Sequence, residues 1–181
     1  MADTNPDNLL NKRPGADQAE VLAGTDNDDL IDGYGGDDTL TGLGGDDILI
    51  GGEGDDVIDG GTGTNRLYGD ADNDTITSAG TNDYVDAGEG DNTITISSDA
   101  IGGEFVSGSG TDVYHIEDGA TSPSNISSLK VQSGGGDDVV NIDSFLYYRP
   151  RFELGEGNDT INFNQRLGLY SLIMVRVVMT I

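Results

Sequence analysis

A chain of 181 residues is long enough for one domain, and with no cysteine it has no disulfide to staple a small core. Its 34 acidic residues against 8 basic ones leave a formal net charge of −26, which opposes compaction and excludes nucleic acid or an anionic membrane as a partner. Leu, Ile, Val and Phe number 43, under a quarter of the chain, so apolar burial is scarce and a cation is the natural source of further cohesion.

Residues 1–22 read as a polar segment or cap, with Val21 and Leu22 as the start of a cap. The opening "MADTNPDNLLNKRPGADQAE" has no apolar h-region, so no cleaved N-terminal signal is expected, and no segment is long enough for a stable membrane span.

Residues 23–95 read as a regular roll, because residues 24–95 divide without a gap into eight nonapeptides: GTDNDDLID, GYGGDDTLT, GLGGDDILI, GGEGDDVID, GGTGTNRLY, GDADNDTIT, SAGTNDYVD and AGEGDNTIT. The eighth position is always aliphatic: Ile31, Leu40, Leu49, Ile58, Leu67, Ile76, Val85 and Ile94. The sixth is always Asp or Asn: Asp29, Asp38, Asp47, Asp56, Asn65, Asp74, Asp83 and Asn92. Positions seven to nine suit a short strand whose middle residue points inward, since side chains alternate faces along a strand. One aliphatic residue per strand makes no core alone. Stacked coils bury a continuous file of them, with successive strands pairing in parallel. The expected fold is therefore all-β: a parallel β-solenoid, or β-roll, with two repeats per turn and loops on alternating sides. Glycine in the loops supplies backbone shapes closed to other residues and permits close approach to an ion.

These units resemble the RTX, or hemolysin-type calcium-binding, family, whose consensus is G-G-x-G-x-D-x-U-x with U a large aliphatic residue. The resemblance implies several Ca²⁺ ions, each lying between loops two repeats apart and held by both sixth-position carboxylates and by loop carbonyls. Carried onto this chain, the carboxylate pairs are Asp29 with Asp47, Asp38 with Asp56, and Asp56 with Asp74. The glycines of the same loops include Gly33, Gly35, Gly42, Gly44, Gly52 and Gly54. Asn65 and Asn92 depart from the consensus. Their amide oxygens ligate without charge, so pairs of Asp47 with Asn65, Asn65 with Asp83, or Asp74 with Asn92 are expected to be weaker or empty.

Residues 96–164 keep the motif at longer intervals: SGSGTDVYH at 107–115, SGGGDDVVN at 133–141 and LGEGNDTIN at 154–162, each preceded by a strand-like run. Their sixth positions are Asp112, Asp138 and Asp159. The reading is an irregular coil that keeps calcium loops on one side while the other relaxes into longer connections at 96–103, 119–128 and 144–150. One stack then runs Asp38, Asp56, Asp74, Asn92, Asp112, Asp138, Asp159, and the other stops near Asp83. Residues 165–181, "QRLGLYSLIMVRVVMTI", are abruptly apolar. A shifted reading frame through "MVRVVMTI" regenerates a G-x-G-G-D-D loop, so the tail reads either as a frameshifted remnant of further repeats or as an apolar cap.

Without metal, stacked carboxylates repel and the aliphatic file is too thin to offset chain entropy. Hard oxygen ligands favour Ca²⁺ over transition metals, and Mg²⁺ sheds its water reluctantly. A site with a dissociation constant of roughly 10⁻⁴ M contributes about 1.4 kcal/mol at about 1 mM calcium. The expected protein is a non-enzymatic calcium-binding module that folds outside the cell, and the family resemblance implies one-step export of the unfolded chain. Other readings are an ice-binding face (Thr39 with Thr41, Thr75 with Thr77, Thr93 with Thr95), a cell-surface or polysaccharide adhesin, and an accessory module of a secreted enzyme or toxin. The lone His115, near Ser107 and Asp112, reads as an outward strand residue rather than part of a triad. No EF-hand spacing is present, and no long helix-forming segment follows the glycine-rich runs, as a dinucleotide site requires.

Overall fold

The computed structural model describes residues 13–14, 17–97, 100, 102–117, 129–143 and 150–164. Among the described residues, sixteen strands form two eight-stranded sheets. The first sheet holds β1 (Arg13–Pro14), β3 (Leu30–Gly35), β5 (Ile48–Glu53), β7 (Arg66–Ala71), β9 (Tyr84–Asp86), β11 (Gly103–Val106), β13 (Leu129–Gln132) and β15 (Arg151–Glu153). The second holds β2 (Val21–Ala23), β4 (Thr39–Thr41), β6 (Val57–Asp59), β8 (Thr75–Ser78), β10 (Thr93–Ile96), β12 (Val113–Ile116), β14 (Val139–Ile142) and β16 (Thr160–Phe163). Every neighbouring pair is parallel, and the chain alternates between sheets, so each coil contributes one strand to each. This is the two-repeat β-solenoid the nonapeptide period predicts.

The eighth-position column becomes two files of core residues. Ile31, Leu49, Leu67, Val85, Phe105, Val131 and Phe152 stack in register in the first sheet. Leu40, Ile58, Ile76, Ile94, Tyr114 and Val140 do so in the second. All are buried. Both sheets continue unbroken from the regular repeats into the longer coils, where Glu104 pairs with Tyr84 and Val113 with Thr93. The longer coils also enclose Ile96, Ile116, Ile142, Leu129 and Leu154, so apolar packing grows as the strict repeat ends.

The solenoid begins before the first aspartate repeat. Val21 to Ala23 pair with Thr39 to Thr41, and Arg13 and Pro14 with Ile31 and Asp32. Glu20 and Leu22 therefore occupy sixth and eighth positions in a coil that the glycine pattern does not announce. The tail at 165–181, with its two readings, lies outside the described residues, as do 98–99, 101, 118–128 and 144–149 within the long connections.

Candidate metal centre

Sixth-position side chains collect on two edges of the solenoid. The forward edge, where the chain leaves the first sheet for the second, carries Asp38, Asp56, Asp74, Asn92, Asp112, Asp138 and Asp159. The return edge carries Asp29, Asp47, Asn65 and Asp83. All but Asp159 are buried, which for carboxylates demands compensation.

Half of that compensation is internal. Sixth-position backbone N–H groups donate to Oδ1 of the equivalent residue one coil on: Asp29 to Asp47 at 2.8 Å, Asp38 to Asp56 at 2.7 Å, Asp56 to Asp74 at 2.9 Å, and Asp112 to Asp138 at 2.9 Å. The asparagines serve the same ladder, accepting from Asp47 at 3.0 Å and from Asp74 at 2.8 Å through their side-chain oxygens. A second ladder, in the fifth position, runs the opposite way: the N–H of Asp46 donates to Asp28, that of Asp55 to Asp37, and that of Thr111 to Asp91. The sequence shows this fifth column as Asp and Asn interrupted by Thr64 and Thr111, but not its direction.

The other half is missing. Oδ2 of Asp38, Asp47, Asp56, Asp74, Asp112, Asp138 and Asp159 is buried and receives no hydrogen bond. Burial, with neighbouring carboxylates adding to it, pushes Asp47 and Asp56 up to about 6 and Asp74 to about 7. Burial likewise raises Asp38, Asp112 and Asp138. These are the marks of groups whose charge the protein alone does not balance.

Glycine leaves the space beside them open. A Cβ on Gly42 would lie 2.5 Å from Asp47 Oδ2 and 2.6 Å from the Gly60 carbonyl oxygen, and one on Gly33 would lie 2.6 Å from the Gly51 carbonyl oxygen. Carboxylate and next-coil carbonyl thus converge on one glycine-lined cradle. Gly52 and Gly54 serve close coil stacking instead: both have positive φ, and a Cβ on Gly54 would meet the Gly36 carbonyl oxygen at 2.6 Å. Gly35 pairs with Glu53 and Gly44 with Thr62 in the ladders between coils.

Among the described residues no three His, Cys, Asp or Glu side chains converge. The cradles offer single carboxylate oxygens with carbonyl oxygens and no nitrogen or sulfur, a donor set that fits a hard cation such as Ca²⁺ and not a transition metal.

Asp29 and Asp83 differ from the rest. Asp29 Oδ2 accepts from the Thr25 N–H at 2.6 Å and the Thr25 hydroxyl at 2.9 Å. Asp83 Oδ2 accepts from the Ser78 hydroxyl at 2.6 Å and the Gly80 N–H at 3.1 Å. The hydroxyls stand in the first two positions of their repeats, which is the only signal for them in the sequence. His115 stands on the outer face between Thr95 and Asn141, while Ser107 is buried and accepts from the Tyr114 hydroxyl at 2.8 Å, so the two do not meet. On the threonine face Asp59 sits between Thr41 and Thr77. No helix among the described residues is long and apolar enough to cross a membrane.

The model of the RTX calcium-binding nonapeptide repeat, a unit of four copies, matches residues 14–49, 41–76 and 59–94. No curated protein and no solved structure matches the chain.

Proposed function

We propose, for a chain that belongs over residues 14–94 to the RTX calcium-binding nonapeptide repeats, that its function is to fold on calcium and to do so outside the cell, as a non-enzymatic module. The observation that carries this reading is the set of seven buried carboxylate oxygens without a partner. Leaving such a group unsatisfied costs more than most single interactions return, so a β-solenoid with seven of them is not self-sufficient at neutral pH.

Bound calcium would supply the positive charge and the oxygen coordination that these groups lack. The residues of this chain do the rest. At Asp38, Asp56 and Asp74, Oδ1 ties the coil to the previous one, Oδ2 faces the cradle, and Gly33, Gly51 and Gly69 in the first position keep that cradle open. Extracellular modules bind calcium in roughly the 10⁻⁴–10⁻³ M range, so sites of that strength stay empty at cytosolic concentrations and fill outside. The net charge of −26 acts in the same direction, holding the metal-free chain expanded.

The test is circular dichroism during a calcium titration, with magnesium and EGTA as controls. The expected result is a β signal that appears with calcium and not with magnesium. A β signal fully formed in EGTA at neutral pH overturns the reading.

A further inference from the structure

The unpartnered oxygens are not shared evenly between the edges. Six lie on the forward edge, at Asp38, Asp56, Asp74, Asp112, Asp138 and Asp159, and the return edge has Asp47. The protein groups that reach each sixth-position side chain also differ between the edges.

On the return edge the first position runs Gly24, Gly42, Gly60 and Ser78, and the sheet register then continues it through Ile96, Ile116 and Ile142. Ser78 places a hydroxyl in the cradle and donates to Asp83 Oδ2. The isoleucines are buried and turn the same column into apolar core. At the other end of this edge Thr25 supplies both donors to Asp29 Oδ2. Between them Asn65 brings an uncharged amide.

On the forward edge Gly33, Gly51 and Gly69 keep the cradle open beside Asp38, Asp56 and Asp74. Ala87 then places a methyl there, and Asn92 turns its amide to the Gly88 and Gly90 carbonyls at 3.4 and 3.2 Å. Past this coil, Ser107 and Ser133 aim their hydroxyls at the Ser133 and Leu154 carbonyls of the following coil, at 3.3 and 3.1 Å, and leave Asp112 and Asp138 Oδ2 unpartnered.

We infer that the forward edge is the metal-binding edge, loaded in two runs, Asp38–Asp56–Asp74 and Asp112–Asp138, separated by a coil at Ala87 and Asn92 that holds no ion and ending where the buried Leu154 fills the first position beside Asp159. On the return edge the Asp47 position alone among these residues takes a cation, while Asp29 and Asp83 are held by protein donors in its place. This rests on the calcium reading above. Two donated hydrogens on one carboxylate oxygen offset its burial as a cation does, and they do so at any calcium concentration. The return edge is thereby built to close without metal, and calcium acts on one side of the solenoid.

The experiment counts ions bound to the full chain, by terbium luminescence titration of the calcium-stripped protein and by equilibrium dialysis with calcium, with circular dichroism confirming the fold of each variant. Asp83→Asn and Asp29→Asn are expected to bind as many ions as the parent, Asp56→Asn fewer, and Ala87→Gly combined with Asn92→Asp one more. Loss of an ion in Asp83→Asn or Asp29→Asn overturns the inference, as does a double variant that gains none. Should Asp83→Asn not fold, Ser78→Gly reads the same point: opening that cradle is expected to add an ion, and an unchanged count overturns the assignment. A parent that binds neither terbium nor calcium overturns the calcium reading itself, a result distinct from all of these.

Discussion

The backbone N–H of Asp56 donates to Oδ1 of Asp74 on the next coil at 2.9 Å, while Oδ2 of Asp74 is buried and receives nothing. One carboxylate thus does two jobs: one oxygen fixes the register of adjacent coils and the other is left for a partner the chain does not contain. On the calcium reading proposed above, this division, repeated along the edge, would make solenoid closure and metal capture parts of the same event.

Removal of calcium is therefore expected to unfold the chain at neutral pH. Once calcium exceeds the dissociation constant, each tenfold increase adds about 1.4 kcal/mol per bound site. Thermal melts across a calcium series should give a midpoint that climbs with the logarithm of concentration, more steeply than one site allows. A midpoint independent of calcium contradicts the coupling.

Acid is expected to act as a partial substitute for the metal. The folded values of about 6 for Asp47 and Asp56 and about 7 for Asp74 lie above the ordinary 3.8. Raised carboxyl values mean that the metal-free fold binds more protons than the unfolded chain between those limits. Its stability is therefore greatest below about pH 4 and declines as pH rises, until it is lost above about 7. In EGTA, acidification from pH 7.5 to 4.5 should increase the β signal. In calcium the sign reverses, because protons compete for the same oxygens, and the half-saturating calcium concentration should rise. A metal-free chain equally unfolded at both pH values argues against these buried carboxyls.

Gly33→Ala probes the cradle. Its Cβ would sit 2.6 Å from the Gly51 carbonyl oxygen and 3.2 Å from Asp38 Cγ, and the first of these is backbone that cannot swing away. Overpacking of this kind costs about 1–3 kcal/mol, so the variant should need more calcium to fold and should melt earlier in urea at fixed calcium. Parent-like behaviour in both assays would mean that the cradle is wider than the structure shows.

Leu43→Gly is expected to stabilise. Leu43 has a φ of 73° with 49% of its surface exposed, so it pays left-handed strain while losing little packing on truncation. Relief of that strain, less the greater entropy of glycine in the unfolded chain, leaves about 1 kcal/mol in favour of the variant. Denaturant melts at saturating calcium measure it, and a lower midpoint refutes the strain argument.

Much of the architecture was legible in the residues. The aliphatic column from Ile31 to Ile94 and the Asp/Asn column from Asp29 to Asn92 predict coil length, strand position and the two-repeat turn. The reason is that burial at period two and a fixed loop chemistry leave few ways to stack nonapeptides. The strand runs before SGSGTDVYH and SGGGDDVVN likewise carry the register past residue 95. The coil through Glu20 and Leu22 escaped notice because its Glu replaces Asp and no glycine-rich loop marks it.

What the sequence determined by itself was which residues share an edge and that their charge exceeds what the chain can balance. What only the tertiary structure decided was which of those charges are already answered. Asp83 and Asp112 both follow a first-position serine, yet the Ser78 hydroxyl reaches Asp83 Oδ2 while Ser107 turns to the Ser133 carbonyl and leaves Asp112 Oδ2 without a hydrogen bond. That difference depends on where a single oxygen points once the loop has closed, a matter of a few ångströms set by packing between coils rather than by residue type.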